Sequence, residues 1–378
     1  MLDLNDEQRM IVSSLRDICE DKFEKTAADW NGEMPWENLR ILADQGFYGI
    51  NLAEEYGGGG MTEFEAILAT EVIGRVCPLT AWQYGDQHLI SPRAIEHFGS
   101  EAAKERYLPP IVRAEERIGV GMSEPQAGSD LKAMETTFED RDDGDILVNG
   151  EKIWMSSAPE CVATIVWGMF PEGMGTVIMD LDSEGVEFIG DFTNMAGEVQ
   201  SQVAMDDVVV PEENVLVRGE DMFKRQMEAL NWERLAGATI ANATALCALD
   251  QAIQYAKDRE QFGQPIGEFQ GVGFKLAEMV TELQASRQLL FQTAKNAVEQ
   301  GRVPDPMETL MASLYAAQTA GKVVDEAVQI HGANGYMQGH DIEYLYRFAR
   351  GFRIGGGTDE IHKREISKFV QREGAPRL

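Results

Sequence analysis

The feature that most limits the fold of this chain is a change of hydrophobic period, from helical spacing to alternation near Ile118 and back again near Glu220. Before the first switch, apolar positions such as Ile11, Leu15 and Ile18 recur every three or four residues, as one buried helix face requires. Asp6 is placed to cap that helix, and a second helix is expected from about Trp36 to Gln45. The run Gly57-Gly58-Gly59-Gly60 then interrupts the chain before Thr62 restarts it. Between the switches, strands are expected at Ile118 to Met122, Ile146 to Asn149, Thr164 to Phe170, Thr176 to Leu181, Val186 to Ile189 and Val203 to Val210. No helices alternate with them, which disfavours a Rossmann sheet and favours a compact, barrel-like β domain.

After Glu220 one long helix is expected over roughly 221 to 258. Another carries Phe269, Val272, Leu276, Met279, Leu283 and Leu290, a third runs from about Met307 to His331, and a fourth begins near Thr358. Four long amphipathic helices suffice for a bundle. At 378 residues the chain is too long for one ordinary core. The expected fold is therefore α+β and mostly α: a helical domain over 1–116, a β domain over 117–220 and a four-helix bundle over 221–378.

Thirty-three Lys and Arg against 64 Asp and Glu give a formal charge of −31, which disfavours nucleic acid and anionic lipid as partners. A well-solvated surface and adaptation to a saline habitat both account for that charge. No stretch approaches 18 uninterrupted apolar residues, so no membrane span is expected. The start Met1-Leu2-Asp3-Leu4-Asn5-Asp6-Glu7 has neither a basic, apolar leader nor an Arg-rich transit pattern, and the expected location is cytoplasmic. Cys19, Cys77, Cys161 and Cys247 are widely spaced, and the five histidines form no short ligand spacing; no metal site is expected.

Several local patterns carry chemistry. Ser123-Glu124-Pro125-Gln126-Ala127-Gly128-Ser129-Asp130 follows a strand and suits a turn that presents backbone N–H groups to a polar ligand, although it also fits an ordinary polar turn. A hydrolase elbow is excluded because Gly121-Met122-Ser123-Glu124-Pro125 lacks the second glycine. Trp154 and Ser156, two apart on a strand, can stack on a planar ring and bond one of its heteroatoms, while a core tryptophan remains the alternative.

Five motifs together resemble the flavin-dependent acyl-CoA dehydrogenase family, in the family's order and over nearly the whole chain. They are Ser123-Glu124-Pro125-x-Ala127-Gly128-Ser129-Asp130; Lys152-x-Trp154; Tyr255-Ala256-x-x-Arg259-x-Gln261-Phe262-Gly263-x-Pro265-Ile266-x-x-Phe269-Gln270; Gln329-x-His331-Gly332-x-x-Gly335-Tyr336; and Gly357-Thr358-x-Glu360-Ile361. The resemblance implies FAD as cofactor, an acyl-CoA substrate, electron-transfer flavoprotein as acceptor and a homotetramer built as a dimer of dimers. It implies that Met122 and Ser123 lie along the isoalloxazine and that Trp154 and Ser156 flank its N5 side. Arg259, Phe262, Gln329 and Gly332 would reach the FAD of a neighbouring subunit, and Thr358 and Glu360 would close over the cofactor. Ser129 would lie by the pantetheine arm and Arg234 near the CoA moiety. Arg259 also suits a pyrophosphate on physical grounds, as a fixed cationic fork.

Many members of that family place the catalytic carboxylate at the position of Gly356, where this chain has no side chain. A subset resembling isovaleryl-CoA and long-chain dehydrogenases carries it on the first long bundle helix in a Glu-Arg-Leu context, matched here by Glu233-Arg234-Leu235. Leu230, Glu233, Gly237, Ile240 and Thr244 recur at three or four residues, so Glu233 is expected to face another element. Burial there would raise its pKa toward the range of a neutral-pH base, and pairing with a nearby Arg is the structural alternative. Gly356 can still act through its backbone N–H, donating to the thioester carbonyl. Ala333 and Phe348 depart from the family pattern, where a glycine and an aspartate are usual. The expected reaction is α,β-dehydrogenation of an acyl-CoA to trans-2-enoyl-CoA. Alternatives are a desulfinase, flavin oxidase or monooxygenase of the same fold, or a noncatalytic subunit of a hetero-oligomer.

Overall fold

A computed structural model describes residues 3–23, 32–219 and 222–375. The described residues form two compact units, one drawn from 1–30, 63–85 and 231–378, the other from 31–62 and 86–230. Helices, then strands, then helices follow one another along the chain, as the change of period predicts.

The second unit is built on eight strands: β1 (Ile118–Gly121), β2 (Thr137–Asp140), β3 (Ile146–Ser156), β4 (Ala163–Phe170), β5 (Gly173–Asp180), β6 (Val186–Thr193), β7 (Val199–Val210) and β8 (Val215–Val217). They lie in the order β6-β7-β3-β2-β4-β5-β8, with β1 parallel to β4 from Ile118↔Ala163 to Gly121↔Val166. Alternating residues of these strands, among them Ile146, Val148, Val166, Val177, Val203 and Val208, close one buried core that includes Phe138. Each large side chain moved from water into such a core contributes about 1.5–3 kcal/mol.

The first unit is a helical bundle of the helix Met222–Asp258 from Asn231 onward, Gln270–Glu299, Pro306–His331 and Asp359–Glu373, joined by the shorter Asp341–Arg350. That short helix, absent from the sequence expectation, buries Ile342, Tyr344, Leu345, Phe348 and Ala349 along one side. Phe348 stacks on Tyr344 at 5.7 Å and meets Phe352 edge-on at 5.4 Å. The helix Glu63–Val76 packs against the long Met222–Asp258 so closely that a methyl on Gly74 would stand 2.6 Å from the Cβ of Ala243. Two ion pairs flank these helices: Arg75 grips Asp250 at 2.5 and 3.0 Å, and Arg287 grips Glu71 at 2.5 and 2.8 Å.

At the amino end the cap differs from expectation. Asn5, not Asp6, caps Asp6–Lys22, because its side chain and that of Gln8 satisfy each other's backbone N–H at 2.8 and 3.0 Å. Among the described residues no helix is long and apolar enough to cross a membrane.

Candidate active site

In the sheet unit, β1 runs straight into Met122 and Ser123, and both of their carbonyls are tied to β3. The Ile153 N–H donates to the Ser123 carbonyl at 2.9 Å, and the Lys152 ammonium donates to the Met122 carbonyl at 3.3 Å. Lys152 also meets Glu124 at 2.7 Å, with the two side chains 1% and 2% exposed. Glu124 further accepts from the Thr136 hydroxyl at 2.5 Å, the Thr136 N–H at 2.9 Å and the Glu135 N–H at 2.6 Å. Burial alone would raise the Glu124 pKa; these donors instead hold it down to about 2. Lys152 is shifted below its ordinary value by burial, against the raising effect of Glu124.

Trp154 follows on a bulge. The β3–β7 register slips between Lys152 and Met155, Trp154 takes φ +61°, and its side chain is 55% exposed between two buried neighbours. The core alternative for this tryptophan is thereby overturned: its plane is open, tilted against Phe192 at 5.3 Å. With Met155 buried between them, Trp154 and Ser156 both stand clear of the core, and Ser156 Oγ donates to Gln200 Oε1 at 3.1 Å. Ser129 is exposed on the turn beyond Glu124.

In the bundle unit, Glu233 is half-buried on the helix Met222–Asp258, while Ile240 and Thr244 of the same stripe are buried. One turn on from Glu233, a Cβ placed on Gly237 would meet nothing within 4 Å beyond its own helix, so this face opens onto free volume. Arg234 turns to the glycine segment near the carboxyl end: its Nε donates to the Gly356 carbonyl and its Nη1 to Asn231 Oδ1, each at 3.3 Å. Burial lowers the Arg234 pKa, opposed by the charge of Glu233, and a guanidinium in this setting stays charged. Gly356 and Gly357 adopt φ +67° and +114°, values that disfavour any other residue. His362 closes the far side of this turn, its Nε2 3.1 Å from where a Gly357 Cβ would stand; burial and the charge of Arg234 lower its pKa.

Thr358 caps the last helix by accepting from the Ile361 N–H at 3.3 Å. Asp359 is buried and anchored by Arg353 at 2.8 and 2.9 Å and by Gln318 at 3.1 Å, while Glu360 is exposed.

A third group lies at the far end of the same long helix. Tyr255 stacks on His331 at 4.3 Å, so the segment with Arg259 and Phe262 adjoins the segment with Gln329 and Gly332. Glu260–Gln261 pairs with Gln264–Pro265, and Phe262 and Gly263 at φ +53° and +83° make the tight turn between them. Phe262 is 96% exposed at its tip. Arg259 and Gln329 are also exposed.

Sequence reasoning grouped these residues but missed what holds them. Lys152 belongs to a motif whose partner is not evident in the sequence, because its pairing with Glu124 crosses 28 residues; the one local signal is a lone lysine among β-forming residues just ahead of Trp154. Arg234 was expected near a ligand, and in the structure it is also the tie between the Glu233 helix and Gly356.

Family models for the acyl-CoA dehydrogenase N-terminal, middle and C-terminal domains match residues 5–115, 119–208 and 223–371. A probable acyl-CoA dehydrogenase of Bacillus subtilis is 31% identical over 376 residues, 97% of this chain and 98% of the relative. A 3-(aryl)acrylate reductase of Clostridium sporogenes is 33% identical over 372 residues, 96% and 98% of the two chains. Among solved structures, a glutaryl-coenzyme A dehydrogenase in complex with glutaryl-CoA superposes with a TM-score of 0.93 at 30% identity, covering 99% of this chain and 97% of the other. The chain therefore belongs to the acyl-CoA dehydrogenase family.

Proposed function

We propose that this protein uses FAD to convert an acyl-CoA to its trans-2-enoyl-CoA, with Glu233 removing the α-proton. The observation that carries this reading is the composition of the Glu233 face: a half-buried carboxylate, open volume at Gly237 one turn away, and Arg234 joined to Gly356 at 3.3 Å. An acyl thioester needs a carboxylate over its α-carbon and an N–H aimed at its carbonyl oxygen. In this reading Glu233 is the first and the Gly356 N–H the second, and no side chain at Gly356 competes for the space.

The residues present fit a flavin. Trp154 offers an open aromatic plane with the Ser156 hydroxyl two residues on, and Met122 and Ser123 lead out of β1 beside that strand. When bound, FAD supplies the acceptor for the β-hydride. Arg259 is an exposed cationic fork suited to a pyrophosphate, and Gln329, Gly332, Thr358 and Glu360 are the further contacts on this reading. Ser129 and Arg234 are the residues assigned to the pantetheine arm and the CoA moiety. An aromatic ring left 96% exposed at a hairpin tip, as Phe262 is, supports a role in a neighbouring subunit's site, and hence a homotetramer built as a dimer of dimers. Electron-transfer flavoprotein is the proposed electron acceptor.

The relative named as a 3-(aryl)acrylate reductase motivates a second reading, in which the same chemistry runs toward the saturated acid derivative and Glu233 delivers the proton. Anaerobic addition of an acyl-CoA panel tests the dehydrogenation half-reaction, and reoxidation of the chemically reduced flavin by enoyl-CoA, compared with its reoxidation by electron-transfer flavoprotein, separates the two directions. Loss of flavin colour with formation of enoyl-CoA is the expected result. Absence of bleaching with every chain length would favour a desulfinase, and a colourless protein that takes up no FAD would overturn the reading.

A further inference from the structure

We propose that the buried Glu124–Lys152 pair is a positioning device for the cofactor: it fixes the peptide between Met122 and Ser123 against the strand that carries Trp154. This rests on the FAD reading above. A fully buried ion pair is a poor way to gain stability, because the cost of stripping water from two charges cancels much of their attraction. Glu124, moreover, already collects the Thr136 hydroxyl, the Thr136 and Glu135 N–H groups and the Gln126 amide at 2.5 to 2.9 Å. What Lys152 adds is a second contact, from its ammonium to the Met122 carbonyl at 3.3 Å.

That contact sets a direction. Across a trans peptide the N–H points opposite to the C=O. With the Met122 carbonyl drawn to Lys152, the Ser123 N–H faces away from the pair. The next carbonyl, of Ser123, is held by the Ile153 N–H at 2.9 Å, so both peptide groups of the turn are tied to consecutive residues of β3. Trp154 follows at once on the bulge. The turn and the aromatic plane are thus joined through residues 152 and 153 and cannot shift independently.

Two glycines shape the walls of this device. A Cβ on Gly121 would stand 3.2 Å from Lys152 Cγ, and one on Gly150 would stand 2.5 Å from the Thr136 hydroxyl. Bulkier residues at either place would displace the lysine stem or the threonine that donates to Glu124.

The test compares Lys152→Met with Lys152→Gln in the full-length protein. Methionine keeps the volume and removes the donor; glutamine restores an N–H donor. FAD affinity is read by titrating the apoprotein and following quenching of tryptophan and flavin fluorescence, and folding is read by thermal melting of the apoprotein. Lys152→Met is expected to weaken FAD binding roughly tenfold or more, the consequence of a buried carbonyl left without its donor, and Lys152→Gln to recover part of that loss. Equal FAD affinity in wild type and Lys152→Met overturns the inference, as does a glutamine variant no better than the methionine one. Should Lys152→Met fail to fold, Glu124→Gln decides: with the carboxylate that holds the ammonium removed, FAD affinity is expected to fall about tenfold and at least threefold while the apoprotein still melts cooperatively, and a smaller loss overturns the inference. Wild-type protein that takes up no FAD overturns the functional reading and this inference with it.

Discussion

Gly237 offers a prediction in which stability and activity move in opposite directions. It lies inside a 37-residue helix, one turn beyond Glu233 and on the same face. Glycine inside a helix costs about 0.5–1 kcal/mol relative to alanine, and a Cβ here would meet nothing within 4 Å beyond the helix itself. Gly237→Ala should therefore stabilise the protein by about 0.5–1 kcal/mol, a rise in Tm of roughly 1–3 °C for a chain larger than 250 residues. If the free volume is where the acyl group lies, the same methyl group intrudes on the substrate. Overpacking of that kind costs about 1–3 kcal/mol, which is roughly a 5- to 150-fold loss in kcat/KM for the best-fitting acyl-CoA. Differential scanning fluorimetry measures the first effect, and kcat/KM across acyl-CoAs of increasing length and branching measures the second. A lower Tm would refute the claim that the space is free. A higher Tm with unchanged kcat/KM for every acyl-CoA would refute its assignment to substrate.

Gly356→Glu combined with Glu233→Gln should restore part of the activity lost in Glu233→Gln alone. Only Arg234 Cγ, at 4.0 Å, approaches a Cβ there, though φ of +67° costs a non-glycine residue about 1–2 kcal/mol; no recovery in kcat would show that the two positions do not serve one reacting carbon. Glu124 is held at about 2 against an ordinary 4.5, so its folded form binds protons less readily than the unfolded one. Its stabilising contribution is complete above about 4.5 and is lost as pH falls toward about 2, and the gap in Tm between wild type and Glu124→Gln should close over that window. With a formal charge of −31, self-repulsion should be relieved as salt shortens the screening length from about 10 Å at 0.1 M to about 3 Å at 1 M. A Tm that rises by several degrees across that range is expected; a flat response would reject charge repulsion as a significant cost.

How far the sequence reached depended on whether a feature is local. The long helices, most strands and the start of the last helix near Thr358 are legible in the hydrophobic period, because each is decided within a few positions. Asn5 and Asp6 are equally good caps by residue type, and the reciprocal bond to Gln8 gives the role to Asn5. The Ile146–Asn149 strand and the strand carrying Trp154 and Ser156 are one element, β3, because β7 pairs with it on both sides of the irregularity. The exposure of Trp154 follows from a bulge and a positive φ, which alternation alone predicts wrongly. Links such as Glu124 to Lys152, Tyr255 to His331 and Arg234 to Gly356 join residues 28, 76 and 122 positions apart; no local pattern carries them, and the family resemblance named their neighbourhoods without naming the bonds.

The central claim is that Glu233 takes the α-proton, and the most direct measurement is α-hydrogen exchange of bound acyl-CoA in deuterated water, followed by mass spectrometry without an electron acceptor. Wild type should incorporate deuterium at the α-carbon, and Glu233→Gln, with FAD retained and acyl-CoA still bound, should exchange about 10²–10⁴ times more slowly. Exchange in Glu233→Gln within a few-fold of wild type would contradict the account.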